Sequence, residues 1–193
     1  MATLDKDYWD NRHKKGDTPW EIGKISPPLK AYFDQITDKN INILIPGVGD
    51  AHEAEYLVAQ GFSHISICDI SPTAIAKVKN QLKEYPHLLY ITNDFFKIDG
   101  KYDLIVEQTF FCALDPLLRN NYVNKIFDLM SKEGTLAGVF FASHFQHEGP
   151  PFGGDINEYK SLLSIKLHIH QIQMCYNSIP PRQGNELFII CKK

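Results

Sequence analysis

The chain has 193 residues, enough for one domain with a sizeable core. A hydrophobic content of 44% excludes a disordered chain, and no run of about 18 or more apolar residues is present to span a membrane. A formal net charge of −3 with no long basic run argues against a nucleic-acid partner, so a small-molecule substrate is expected.

The first segment, residues 4–15, is helix-permissive and carries Tyr8, Trp9 and His13. It lacks the basic-then-apolar layout of a secretory signal, and Cys68, Cys112, Cys175 and Cys191 lie scattered in or beside apolar stretches. They read as reduced core thiols in a cytoplasmic protein. A turn at Gly16-Asp17 leads to Thr18-Pro19-Trp20-Glu21, and Pro27-Pro28 opens a second helix. The run 41–45 is a buried strand ended by Pro46-Gly47-Val48-Gly49, and residues 50–60 form a helix closed by Gly61.

The alternation then repeats. Strands are expected over 64–70, 88–93, 102–107 and 135–143, with helices over 71–85 and 115–131. Such spacing implies parallel strands joined by right-handed crossovers, with helices on both faces of the sheet. After a loop rich in glycine and proline at 149–154, a helix over 155–163 precedes strands at 169–176 and 187–191. Their connection leaves no room for a helix, so these two strands pair antiparallel. The predicted fold is α/β: a Rossmann-like class I methyltransferase sheet of seven strands, mostly parallel and finished by an antiparallel hairpin. A single domain is expected, with residues 1–40 as an N-terminal lid and 41–193 as the core.

Ligands of open α/β sheets sit beyond the carboxyl ends of the strands. Gly47 and Gly49 follow the first strand, where glycine permits close approach to the backbone. Asp69, with Ile70 beside it, ends the second strand about 20 residues on, the spacing of an acid that accepts ribose hydroxyls. Asp94-Phe95-Phe96 follows the third strand, an acceptor and an aromatic wall suited to adenine, and Glu107-Gln108 ends the fourth. Each of these acids could alone be a cap. Four polar strand ends on one edge favour a cofactor site. His52 occupies the third position of the dinucleotide glycine pattern, and no phosphate-cradling lysine loop is present. S-adenosylmethionine has no phosphate to cradle and suits the shortened turn.

Several longer segments resemble the thiopurine S-methyltransferase family, and more closely its plant-type thiol/halide methyltransferase branch. They are Trp9 and Trp20 around Gly16-Asp17-Thr18-Pro19, Leu44-Ile45-Pro46-Gly47-Val48-Gly49, and Phe110-Phe111-Cys112-Ala113-Leu114-Asp115-Pro116 with Arg119. His147-Glu148-Gly149-Pro150-Pro151-Phe152 and Pro181-Arg182-Gln183-Gly184-Asn185-Glu186 complete the set, so the likeness spans nearly the whole chain. The resemblance implies that Trp9, His13 and Trp20 fold over bound S-adenosylmethionine, later S-adenosylhomocysteine. It also implies that Gly47 forms the first turn, Asp69 takes the ribose, Asp94 and Phe95 flank adenine, and Glu107 sits near the methionine portion. The family has tryptophan where this chain has His13, and the plant-type branch has aspartate where it has Glu107.

Methyl transfer to a thiolate, hydrosulfide or halide needs little acid–base help, because the nucleophile is already an anion or nearly so. An aromatic, water-poor pocket with positive charge at its border is then required. Its candidates are Trp20, Phe110, Phe111, Tyr122, Pro151, Phe152, Arg119 and Arg182. Phe110 and Phe111 have a competing reading as core, and Arg119 as a surface ion pair. His144, His147, His168 and His170 lack the paired pattern of a zinc site, so no metal is expected, and His147 is placed at the pocket border. The chain is expected to act as a monomer or weak dimer. An O- or N-methyltransferase of the same fold, a non-catalytic S-adenosylmethionine-binding protein and a nicotinamide oxidoreductase remain alternatives.

Overall fold

The computed structural model describes residues 3–146 and 149–193. Two helices come first, α1 (Lys6–Lys15) and α2 (Pro27–Phe33), followed by β1 (Ile43–Pro46), α3 (His52–Ala59), β2 (Ile65–Asp69), α4 (Pro72–Gln81) and β3 (Leu89–Thr92). Then come β4 (Tyr102–Gln108), α5 (Arg119–Leu129), β5 (Met130–Phe141), α6 (Ile156–Leu163), β6 (His168–Met174) and β7 (Glu186–Lys192).

One seven-stranded sheet runs in the order β3-β2-β1-β4-β5-β7-β6. β1 to β5 pair parallel, and β7 inserts antiparallel between β5 and β6. Every residue of β1 and β2 is buried, as expected where helices cover both faces and strands read as unbroken apolar runs. Successive side chains of a strand point to opposite faces. Ile43 and Ile45 therefore join Leu29 and Phe33 of α2, Leu57 of α3 and Val78 of α4 on one side. Leu44 joins Tyr122 and Ile126 of α5 and Tyr159 and Leu163 of α6 on the other.

The expected strands and helices all form, with shifted ends. α4 stops at Gln81 rather than near Tyr85, and β5 starts at Met130, straight from α5, rather than at Thr135. The early start of β5 has a cause remote in sequence: Ser131 Oγ donates to Asp103 Oδ1 at 2.7 Å and holds the chain beside β4. The helix expected from Asp115 opens with a short 3-10 turn, Pro116–Leu118, capped by the Asp115 side chain.

Within residues 3–40 the two helices pack differently. Leu29 and Phe33 of α2 are fully buried in the core, whereas α1 buries a single residue, Asp10, and packs against α4.

Candidate active site

Strand order reverses between β1 and β4, which opens a crevice at the carboxyl ends of the parallel strands. A cavity of about 910 Å³ occupies it. The loop after each of β1 to β5 contributes to its wall, with Pro150, Pro151, Pro181 and Arg182 at one end. α1 and the strap that follows it supply Trp9, Arg12, His13, Pro19 and Trp20. Of the site residues singled out in the sequence, Trp9, His13, Trp20, Gly47, Gly49, Asp69, Ile70, Asp94, Phe95, Phe110, Pro151 and Arg182 meet at this cavity.

Gly47 and Gly49 hold left-handed backbone, φ +63° and +52°. A side chain at Gly47 would meet the Phe110 ring at 2.5 Å, and one at Gly49 would collide with the Glu21 carboxylate. Protein groups from two other segments, not a ligand, fill the space these glycines leave. Glu21 Oε1 also accepts the Asp50 N–H at 2.9 Å. The amide and field that a pyrophosphate would need at this turn are thus met by a carboxylate, which disfavours a dinucleotide. Burial pushes the Glu21 pKa up, and His52 Nε2 lies 3.6 Å from its second oxygen.

Asp69 is 8% exposed, and its Oδ1 accepts the Ser71 N–H at 2.8 Å. Burial lifts its pKa to about 6, against the opposing pull of the Ser71, Val48, Gly49 and Ile70 amides. Asp94 accepts the Phe96 N–H at 3.0 Å. Phe95 is buried edge-on to Phe96 and Phe110, while Phe96 also lines the cavity. Carboxylates at the ends of β2 and β3, aromatic rings beside them and no phosphate cradle fit the adenosyl part of S-adenosylmethionine.

Over the opening, the Trp9 and His13 rings each lie 5.7 Å from Trp20, and the Arg12 guanidinium stacks 4.7 Å from the Trp20 ring. Burial draws the His13 pKa down. Arg182 reaches across from the loop before β7: Nη2 donates to Trp20 O at 2.7 Å, and the guanidinium lies 5.5 Å from the Phe141 ring.

Glu107, Tyr122 and Arg119 do not line this cavity. Glu107 is 1% exposed and turns away from the cavity, because its Oε1 accepts the Phe110 and Phe111 N–H groups at 2.8 and 2.5 Å. Tyr122 is fully buried behind the wall, against Phe95, Phe110 and Phe111. Arg119 is also buried; it pairs with Glu158, donates to Gly153 O at 2.7 Å and stacks on Phe111. Phe111 belongs to the core, and Phe152 is held from behind through its N–H to Cys112 O at 2.7 Å. His147 lies outside the described residues. His144 stands near Asp155 and Glu158, but Asp155 caps α6 and Glu158 pairs with Arg119.

Sequence reasoning passed over several residues. Glu21 and the cavity-wall rings Phe141 and Phe145 had no local signal. Asp10 offered one cue, Lys14 four residues on, and the two form an ion pair at 2.7 Å.

An open sheet with β7 reversed, carrying acids at the tips of β2 and β3 beside an aromatic cleft, is that of a class I S-adenosylmethionine-dependent methyltransferase. The chain belongs to the thiopurine S-methyltransferase family, whose model matches residues 4–187. It is similar to probable thiol methyltransferase 2 of Arabidopsis thaliana, 29% identical over 92% of this chain and 81% of that protein. Thiocyanate methyltransferase 1 of the same plant is 24% identical over 95% of this chain and 83% of its own length. In fold it matches the Burkholderia thailandensis 1,6-didemethyltoxoflavin-N1-methyltransferase, crystallised with S-adenosylhomocysteine, at a TM-score of 0.79. That match covers 97% of this chain and 86% of the other at 15% identity.

Proposed function

We propose that this S-methyltransferase acts on a small thiol, sulfide or thiocyanate-type anion, with halide and thiopurine acceptors in the same chemical range. The carrying observation is the two-ended cavity. One end has the carboxylates of Asp69 and Asp94; the other is walled by Phe141, Phe145, Pro150 and Pro151 and bordered by the Arg182 cation. Bound S-adenosylmethionine supplies a sulfonium methyl group of high transfer potential. Asp69 accepts from the ribose hydroxyls, Asp94 with Phe95 and Phe96 flanks the adenine, and Gly47 and Gly49 form the turn beneath the cofactor. Trp9, His13 and Trp20 form the lid and keep water out, which strengthens every charge interaction inside.

Arg182 draws the anion to the apolar end and, through Trp20 O, holds the lid above it. An anion stripped of water and held in line needs no general base, and alignment with avoided solvent reorganisation supplies at most roughly 7–11 kcal/mol. Among the described residues no helix is long and apolar enough to cross a membrane, and all four cysteines are free and buried, which supports a cytoplasmic setting.

Calorimetric titration with S-adenosylhomocysteine, followed by a screen of hydrosulfide, thiocyanate, iodide, aryl thiols and a thiopurine, tests the proposal. Binding and at least one methylated sulfur or halide product are expected. Arg182→Ala should lower acceptor kcat/KM by about 10- to 100-fold, the size of a lost charge-assisted contact, with a smaller loss of cofactor affinity. Unchanged turnover of every accepted anion would remove Arg182 from this role.

A further inference from the structure

α1 is an unusual helix for a folded domain, because the single residue it buries is charged. Asp10 is 6% exposed, and burying a carboxylate is unfavourable unless partners compensate it. Its partners are specific. Oδ1 accepts the Ser71 hydroxyl at 2.8 Å and the Thr73 N–H at 2.9 Å, and Oδ2 meets Lys14 at 2.7 Å. Ser71 and Thr73 lie at the start of α4, where backbone N–H groups have no partner within the helix and the dipole favours a negative charge.

Ser71 itself is fully buried and works in two directions. Its hydroxyl donates to Asp10 and accepts the Ala74 N–H at 3.1 Å, while its own N–H donates to Asp69 Oδ1 at 2.8 Å. An unbroken chain of hydrogen bonds therefore runs from α1 through Ser71 to the acid at the tip of β2. On either side of Asp10 along α1 stand Trp9 and His13, both on the cavity wall.

We infer that Asp10 is a positioning residue for the cofactor: through Ser71 it ties the α1 lid to the ribose-binding Asp69, so that holding the lid and aligning the acid are one structural event. The inference rests on the reading of α1 as the cofactor lid and of Asp69 as the ribose acid. It assigns Asp10 no contact with cofactor or acceptor. Its effect passes through the orientation of Asp69 and the closure of Trp9 and His13 over the same space. The Lys14 ammonium, together with the Thr73 amide and Ser71 hydroxyl, holds the Asp10 carboxyl well below the usual carboxylate range, so the tie stays charged across ordinary assay conditions.

The test compares Asp10→Asn, Asp10→Ala, Ser71→Ala and, as a lid control, Trp9→Ala in the full chain. The readouts are S-adenosylhomocysteine Kd by calorimetry and steady-state kinetics with an acceptor found active in the screen. Asp10→Ala should raise the cofactor Kd and the S-adenosylmethionine KM about tenfold, the scale of one lost hydrogen bond to a charged group. Asp10→Asn, which keeps an acceptor oxygen, should fall between, and serves if the alanine variant does not fold. The acceptor KM, and kcat at saturating cofactor, should stay within about twofold, a split that general loosening of the fold would not produce. If Trp9→Ala weakens cofactor binding while both Asp10 variants bind normally, the tie is wrong and the lid stands. Should Trp9→Ala also bind normally, the lid reading fails and takes this inference with it. A fall in kcat with a parallel rise in both KM values in the Asp10 variants would make Asp10 a plain stability residue and overturn the inference.

Discussion

Asp69 and Glu107 look alike in the sequence, each an acid at the end of an apolar strand, yet they end up on opposite sides of the cavity wall. Asp69 faces the cavity, whereas Glu107 folds under the chain to receive the Phe110 and Phe111 amides. What separates them is the turn after β4, where Thr109 takes left-handed backbone at φ +57° and brings those amides back toward Glu107. No local residue pattern announces a left-handed threonine, so the place of Glu107 off the cavity was not legible, while the place of Asp69 on its wall was, from its spacing after the glycine turn. The same turn carries Phe110 onto Gly47, so Glu107 sets the aromatic wall from behind.

Burial lifts the Glu107 pKa to about 8, with the Phe111 and Phe110 amides opposing that rise. An unfolded glutamate titrates near 4.3. Between these values the folded state carries a proton that the unfolded state lacks, so Glu107 makes stability fall as pH rises. The slope from this one group is at most about 1.4 kcal/mol per pH unit. Glu107→Gln keeps an oxygen to receive the two amides and cannot ionise. Urea denaturation from pH 5 to pH 8 should show the wild-type midpoint declining across that window and a flatter profile for the glutamine variant. Parallel profiles would mean that Glu107 is already ionised at pH 5.

Among the elements, the ones recovered best from sequence were those whose signals are local. Ser71-Pro72 marks the start of α4, and the Ser71 hydroxyl does cap it; the apolar run of β1 is buried along its whole length. The ends that shifted were set by distant contacts, such as the Asp103–Ser131 bond that draws β5 back to Met130. The turn after β1 shows both sides of this. Its glycines were visible, but what they make room for lies at positions 21 and 110. Gly47→Ala would impose left-handed strain of order 1–3 kcal/mol and drive a methyl group into the Phe110 ring. Gly16→Ala places the same methyl group at nearly the same φ, +66°, in open space. The difference in denaturation free energy between these two variants reports the added cost of the Phe110 contact, on top of the left-handed strain both share. Gly47→Ala is expected to be the more destabilising, and equal losses would show that the ring yields freely.

At the scale of the molecule, the alternation of strand and helix was enough to give the sheet, because parallel strands with crossovers admit few arrangements. The closure over the cavity was far less legible, since its ties join segments remote in sequence: Asp10 to Ser71 and Thr73, Glu21 to Asp50, Ser26 to Glu53, and Trp20 to Arg182. Wall residues accordingly range from Leu4 to Arg182, and loops from both halves of the sheet line the cavity that a ligand would fill. Unfolding must therefore release it completely, and binding should appear as global stability. A ligand at 100 times its Kd adds about 2.7 kcal/mol. At roughly 2–4 °C per kcal/mol for a chain of this size, S-adenosylhomocysteine at that ratio should raise Tm by about 5–10 °C. A nicotinamide dinucleotide at the same concentration should leave Tm unmoved, because Glu21 occupies the turn its pyrophosphate would need. Thermal scans over a concentration series separate the cases: a logarithmic rise with S-adenosylhomocysteine and none with the dinucleotide is expected. A rise with the dinucleotide would show that the carboxylate does not guard that turn.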